Sequence, residues 1–302
     1  MANSYGVVIG LFFRVLALPN TIQHILSSDA SLLVSVLALE SSSARIEVQC
    51  LLQQVLHVQR VYLIAHPEHD LSDDEFVRYN ELLQRRLAGE PIAYILGERE
   101  FFGLNLKVTP ATLIPRPDTE LLVELAVQRI PKQEPCKVLD LGTGSGAIAL
   151  AIAHACSQAE VLACDASADA LVVAQENARA LGIANVSFVQ SDWFSALGAQ
   201  RFRLIVSNPP YIAAHDSHLS QGDVRFEPSS ALISGADGLD DIRHIIEQAP
   251  GHLLPGGWLL LEHGYDQAVA VRSLLTCAKF DAVFSARDLA GIERASGGKM
   301  AD

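Results

Sequence analysis

The stretch Lys137-Val138-Leu139-Asp140-Leu141-Gly142-Thr143-Gly144-Ser145-Gly146-Ala147 begins as an apolar strand and ends in three alternate glycines. Glycines at such a point let the backbone turn sharply into a helix and approach a ligand closely. Gly142-x-Gly144-x-x-Ala147 also satisfies the dinucleotide fingerprint, so the loop alone leaves a nicotinamide dinucleotide open. Two details favour a cationic ligand instead. Asp140 precedes the turn, and Gly146 adds a third alternate glycine. A carboxylate there attracts a positive group, whereas a pyrophosphate would gain little from it.

Outward from this turn the pattern repeats. Strands are predicted at 137–141, 160–164, 186–190, 204–207 and 257–262, with helices near 145–155, 168–181, 238–249 and 265–277. Such alternation predicts an α/β fold, a mostly parallel sheet with helices on both faces, over residues 118–302. Ligands of these sheets bind beyond the carboxyl ends of the strands. Residues 21–91 read differently, as a small helical domain. Apolar positions 46, 48, 51, 52, 55 and 56 form a helical stripe, Ser72 and Glu75 form a capping box, and Gly89 closes the following helix. Between the two, 92–117 reads as a β-hairpin linker, with short strands near 94–97, 101–104 and 106–108. Pro115 and Pro117 forbid helix there, and Asp118 or Thr119 is expected to cap a helix over 119–129. Residues 1–20 form an apolar extension. It is too short to span a membrane and has no basic residue before Arg14, so a short helix or extended segment is expected rather than a targeting signal.

The chain has 302 residues, half of them hydrophobic, enough for two domains with substantial cores. Net charge is −13, divided as −4 over residues 1–95 and −9 over 96–302. A tight, non-specific grip on nucleic acid is therefore not expected, nor is membrane association. The five cysteines (50, 136, 156, 164, 277) form no CxxC pair, which fits a reducing, cytoplasmic setting. No metal site is expected; His215 and His218 lie in a polar loop and read as solvated.

The cation best matched to the glycine turn is S-adenosyl-L-methionine, whose amino and sulfonium groups would face Asp140, leaving S-adenosyl-L-homocysteine as product. Asp165, ending the second strand, is placed to accept hydrogen bonds from ribose hydroxyls. Trp193, after the third strand in Gln190-Ser191-Asp192-Trp193-Phe194, is expected to cover an adenine. The strand Leu204–Ser207 then empties into Asn208-Pro209-Pro210-Tyr211. Two prolines remove two N–H donors and hold Asn208 extended. The Asn208 side-chain oxygen and the Pro209 carbonyl would both face outward as acceptors, a match for the two donors of a planar –NH₂ group over which Tyr211 stacks. That chemistry is methyl transfer to an amide or ring-amine nitrogen, driven mainly by positioning.

These residues resemble the HemK/PrmC family of protein-(glutamine-N5) methyltransferases. The motifs are Ile114-Pro115-Arg116-Pro117-Asp118-Thr119-Glu120, Asp140 to Gly146, Ser191 to Phe194, Asn208 to Tyr211, and Asp223-Val224-Arg225-Phe226-Glu227-Pro228. Asn-Pro-Pro-Tyr alone is shared with nucleic-acid amino-methyltransferases, which stay as an alternative. A ribosomal-protein glutamine methyltransferase is a second alternative, although Pro117 to Glu120 favours the release-factor type. The resemblance implies a class I methyltransferase fold with a helical substrate-recognition domain. It implies methylation of the glutamine in the Gly-Gly-Gln motif of peptide chain release factors, modulating translation termination. Gly142, Thr143, Gly144, Ser145, Gly146, Asp165, Trp193 and Asn208 would bind the cofactor. Asn208, Pro209, Pro210 and Tyr211 would bind the glutamine, with Asn208, Pro209 and Tyr211 catalytic and Phe102 packing beside the pocket. The tail from Gly291 to Gly298 lacks β-branched residues, so the last strand is expected to fray.

Overall fold

The computed structural model describes residues 20–132 and 134–302. The expected extension over 1–20 lies almost wholly outside the described residues. The chain divides at Leu96/Gly97 into two compact units.

The first unit is helical: α1 (Ile22–Leu37), α2 (Ser41–Leu56), α3 (Arg60–Ala65), α4 (Asp73–Leu87) and α5 (Ile92–Leu96). Ile22, Leu33, Leu51, Leu52, Leu63, Tyr79 and Leu83 form its core. The Tyr79 hydroxyl, buried with them, donates to Asp29 Oδ2 at 3.0 Å, so the polar tip is satisfied. The capping box closes α4: Ser72 N donates to Glu75 Oε2 at 2.9 Å, and Glu75 N donates to Ser72 Oγ at 3.4 Å. Residue Ile46, assigned to the apolar stripe of α2, is exposed instead. The strand expected over 94–97 is helix α5. Pro91 starts that turn, with Tyr94 N and Ile95 N both donating to its carbonyl, so a β-prone composition yields to local helix nucleation.

The second unit opens with the hairpin β1 (Glu98–Phe101) and β2 (Leu104–Lys107), paired antiparallel. The stretch 101–104, read as one strand, contains the turn: Phe102 and Gly103 both have positive φ, as a tight two-residue hairpin loop requires. A short 3₁₀ turn over Pro117–Thr119 leads into α6 (Glu120–Arg129). Then follow β3 (Cys136–Leu141), α7 (Ala147–Ala155), β4 (Ala159–Asp165), α8 (Ala168–Leu181), β5 (Val186–Gln190), β6 (Phe202–Ser207), α9 (Asp240–His252), β7 (Leu253–Glu262), α10 (Ala268–Cys277), β8 (Asp281–Arg287) and β9 (Glu293–Lys299). The sheet order is β5-β4-β3-β6-β7-β9-β8, parallel from β5 to β7 and antiparallel at β9 and β8. The strand period of two sorts side chains between two cores. Val138, Ala163, Val206 and Leu260 pack with α6 and α7 on one face. Leu139, Leu141, Ile205, Leu259 and Leu261 pack with α9 and α10 on the other.

The last strand does not fray. β9 is an inner strand, paired to β7 on one side and β8 on the other, with Ala295 and Ser296 buried. Its glycines have a packing reason. A Cβ on Gly297 would lie 2.6 Å from Leu259 O, and one on Gly298 would lie 2.7 Å from Phe280 Cβ. Bulk at these positions would push the strand out of register, so β-propensity is overridden by tight packing.

Candidate active site

Strands β4, β3, β6 and β7 are adjacent, and their carboxyl ends carry the site. Registers pair Leu141 with Cys164 on one side and with Ser207 on the other. The glycine turn and Asn208 therefore leave neighbouring strand ends. Ser207 Oγ, donating to Leu141 O at 2.8 Å, ties them together.

The turn itself is built by hydrogen bonds from inside. Thr143 N donates to Cys164 O at 2.9 Å, and Gly146 N donates to Thr143 O at 2.8 Å. Asn177 Nδ2 donates to Ser145 O at 2.9 Å. Gly144 N, at φ 55°, donates to Asp165 Oδ2 at 2.8 Å, and a Cβ on Gly144 would meet nothing within 4 Å. The outer face of the turn is thus open to a ligand. Gly146, at φ 85°, faces inward: a Cβ there would sit 3.0 Å from Leu150 Cδ1 and 3.2 Å from Ala174 Cβ. It lets the start of α7 close onto α8.

Asp165 does more than the sequence suggests. Besides holding Gly144, its Oδ1 accepts from Ser167 N at 2.8 Å and shapes the start of α8. Each oxygen keeps a second lone pair. Trp193 is half-buried at φ 45°, and its ring edge reaches within 3.6 Å of where a Gly142 Cβ would stand. The aromatic thus lies against the glycine turn.

Asn208 Nδ2 donates to Thr119 Oγ1 at 3.3 Å, while its Oδ1 is buried and has no partner. The acceptor is therefore shielded from bulk water and unpaired, rather than facing outward. The Tyr211 hydroxyl donates to Glu262 Oε1 at 3.2 Å, and burial pushes the phenol above its ordinary pKa. Its backbone is clamped, with Gln267 Nε2 donating to Tyr211 O at 3.0 Å. Pro209 is buried and Pro210 half-buried beside it. Phe102 packs on the cluster around α6 and α7, and its N–H donates to Glu120 Oε1 at 3.0 Å. The two proline-rich motifs clasp each other: Arg116 pairs with the buried Glu227, whose Oε2 also accepts from Ile114 N.

Thr119 and Glu262 were not singled out as site residues from the sequence. Thr119 makes no cap bond; its backbone is already helical, and its hydroxyl turns to Asn208 instead. Glu262 ends the apolar run Trp258-Leu259-Leu260-Leu261, and a lone carboxylate at the carboxyl end of a buried strand is the signal that could have found it. Its carboxyl is pushed up to about 7, first by burial, against the hydrogen bonding of Thr119 and Tyr211. Asp140 is likewise pushed up to about 7 by burial, although Thr143 Oγ1 at 2.6 Å and Ala149 N at 3.2 Å both donate to its Oδ2.

Asp140 Oδ1, Asn208 Oδ1 and Glu262 Oε2 are all buried without partners, at the ends of β3, β6 and β7. Such a set accepts hydrogen bonds and attracts positive charge. With the open glycine turn and the Trp193 ring, it fits S-adenosylmethionine, whose ammonium and sulfonium are cationic. Among the described residues, no cluster of three or more His, Cys, Asp or Glu could hold a metal. His218 instead accompanies Asp216 on the surface. No described helix is long and apolar enough to cross a membrane.

Known proteins match along most of this chain. A methyltransferase small domain model matches residues 118–230, and a PrmC N-terminal domain model matches 34–97. The release factor glutamine methyltransferase of Escherichia coli (strain K12) is 51% identical over 259 residues, covering 86% of this chain and 93% of that protein. That of Bordetella pertussis is 53% identical over 257 residues, covering 85% and 95%. Among solved structures, a methyltransferase from Pyrococcus furiosus shares the fold, with TM-score 0.51 and 19% identity over 74% of this chain and all of the other. With half of its residues identical over nearly the full length of these relatives, the chain belongs to the release factor glutamine methyltransferase family.

Proposed function

We propose that this enzyme transfers a methyl group from S-adenosyl-L-methionine to the side-chain amide nitrogen of the glutamine in the Gly-Gly-Gln motif of peptide chain release factors. The observation that carries the reading is Asn208 Oδ1, a buried acceptor with no partner, one strand away from the glycine turn. S-adenosylmethionine supplies, when bound, an electrophilic methyl group on a positively charged sulfur. Gly142 to Gly146, Asp165 and Trp193 would hold it, with Asp140 facing its cationic end.

An amide nitrogen is a poor nucleophile because its lone pair is delocalised into the carbonyl. Asn208 Oδ1 and the Pro209 carbonyl are suited to accept its two hydrogens and fix its orientation. Fixed orientation is worth up to about 7–11 kcal/mol of barrier in favourable systems. The buried surroundings of Asn208 strengthen these contacts by excluding water. Pro209 and Pro210 keep the backbone from collapsing onto the acceptor, since neither has an N–H to offer. The acidic balance of the chain supports a protein substrate over direct nucleic-acid binding, and the cysteine spacing, with no CxxC pair, supports a cytoplasmic setting.

The test is mass spectrometry of a release factor incubated with the protein and S-adenosylmethionine. The expected result is a gain of one methyl on the Gly-Gly-Gln peptide, absent when that glutamine is replaced by asparagine. An unmodified peptide, with methyl appearing on DNA or RNA instead, would overturn the reading.

A further inference from the structure

Trp193 holds a backbone conformation that its size disfavours. Among the described residues, six non-glycine residues have left-handed backbones, and Trp193, at φ 45°, is the bulkiest of them. That region is crowded for an L side chain, and glycine, asparagine or aspartate usually fills it. Trp193 is the first inner residue of a tight turn, closed by Ser195 N donating to Asp192 O at 3.0 Å. The turn sends two neighbouring aromatics to different places. Phe194 is buried, its ring stacked on His252 with centroids 4.7 Å apart. The Trp193 ring lies instead against Gly142.

A strained backbone of this kind persists only where its surroundings over-determine it, and such strain gathers at ligand clamps. Here Ser191 supplies the constraint. Its Oγ donates to Trp193 O at 2.7 Å. The direction is fixed, because a carbonyl only accepts, and Ala196 N donates to the same Oγ at 3.0 Å, leaving the hydroxyl proton for Trp193. Cys164 Sγ makes a longer second contact with Trp193 O, at 3.6 Å. Ser191 is itself buried and anchored to the end of β4, where its N–H donates to Asp165 O at 3.0 Å.

We infer that Ser191 is a positioning residue for the cofactor: by holding the Trp193 carbonyl it keeps the left-handed turn that lays the indole on the glycine turn. The inference rests on the reading above that Trp193 holds S-adenosylmethionine, and it adds Ser191 to that site. Without the hydroxyl, the Trp193 peptide is free to rotate to an ordinary φ. The ring then leaves Gly142 while Phe194 stays in the core. The chemical step belongs to Asn208, on a different strand end. The signature of Ser191 is therefore a change in cofactor affinity at unchanged rate.

Variants of the full chain test this. Ser191→Ala should raise the Kd for S-adenosylmethionine, measured by calorimetry, by about fivefold or more, and Trp193→Ala by about tenfold, in the range of a lost aromatic–base stack. Turnover of a Gly-Gly-Gln peptide by Ser191→Ala at saturating cofactor should stay within about twofold of wild type. The double variant should bind within about twofold of Trp193→Ala, because Ser191 acts only through that ring. A second readout needs neither substrate nor cofactor. The chain has two tryptophans, so in a Trp258→Phe background all indole emission comes from Trp193. Ser191→Ala in that background should shift the emission to longer wavelength and lower its anisotropy. Ser191→Cys, which keeps a weak donor in the same place, should fall between Ser191→Ala and wild type in both affinity and emission. Unchanged affinity in Ser191→Ala would overturn the role, as would losses that add in the double variant. Weaker binding with unchanged Trp193 emission would overturn it too, since Ser191 would then reach the ligand by another route. A wild-type protein that binds S-adenosylmethionine but leaves the peptide unmodified would sink the methyl-transfer reading alone, and affinity and emission would still decide the role of Ser191.

Discussion

The cost of keeping Glu262 buried should be measurable as a pH-dependent loss of stability. Its carboxyl moves from an ordinary 4.5 to about 7 in the fold, chiefly through burial, with Thr119, Tyr211 and Arg294 pulling down and Asp118 pushing up. A carboxyl with a raised folded pKa binds its proton more tightly when folded. Its contribution to stability is therefore fully present below pH 4.5 and is lost as pH rises through 7. The displacement corresponds to about 3 kcal/mol in total, of which roughly 2–3 kcal/mol falls between pH 5 and pH 8. Glu262→Gln keeps the shape and removes the titration. Asp140 titrates in both proteins and cancels in the comparison. The stability of the variant relative to wild type should thus rise by roughly 2–3 kcal/mol from pH 5 to pH 8, about 5–10 °C in Tm for a unit of this size. Urea or thermal melts of both proteins at the two pH values measure it. A difference that stays constant within about 0.5 kcal/mol would show that Glu262 is not the buried, displaced acid described here.

Asn208→Ala removes the unpaired acceptor and should raise the methyl-transfer barrier by about 3 kcal/mol, read as kcat, with a smaller change in cofactor affinity. Gly146→Ala places a Cβ against Leu150 and Ala174 at a left-handed backbone position; it should cost about 2–4 kcal/mol of stability in urea melts. Burial holds Asp140 neutral up to about pH 7. S-adenosylmethionine binding by calorimetry should therefore tighten as pH rises through 7, and Asp140→Asn should flatten that profile.

Much of the fold is legible in the sequence because the parallel strands are short, largely apolar runs that end in polar residues or glycine at their carboxyl ends. β5 and α8 fall where the pattern puts them. What escapes is set by contacts between distant residues. The glycines of β9 look like a weak strand until Leu259 and Phe280 are seen to need the space. Tyr94 and Ile95 look like strand until Pro91 is seen to start a turn. Thr119 looks like a helix cap, a role its type favours, until Asn208 is found across the fold to claim its hydroxyl. The glycine turn and Asn208 were legible because their chemistry is local. Glu262 was not, because its meaning depends on Thr119 and Tyr211, which the chain brings to it from far away.

The three unpartnered oxygens bear on the kind of ligand the site takes. A buried polar atom without a partner costs about 1–3 kcal/mol, and folded proteins keep few of them. The described residues keep six side-chain atoms of this kind: three nitrogens, on His24, Arg99 and Arg129, and three oxygens, all at the ends of β3, β6 and β7, which are neighbours in the sheet. The nitrogens are scattered over the fold, whereas the oxygens are all acceptors on neighbouring strands. Clustered acceptors mean that the missing partners are donors: a group bearing several N–H hydrogens, cationic at the Asp140 end and neutral at Asn208, where a second carboxylate would attract cations rather than an amide. An asparagine between two buried acids therefore discriminates by being uncharged, and Asn208→Asp should lose glutamine methylation as fully as Asn208→Ala despite keeping an acceptor oxygen. Retained turnover in that variant, measured on the same peptide, would show that charge at this position is not what selects the substrate.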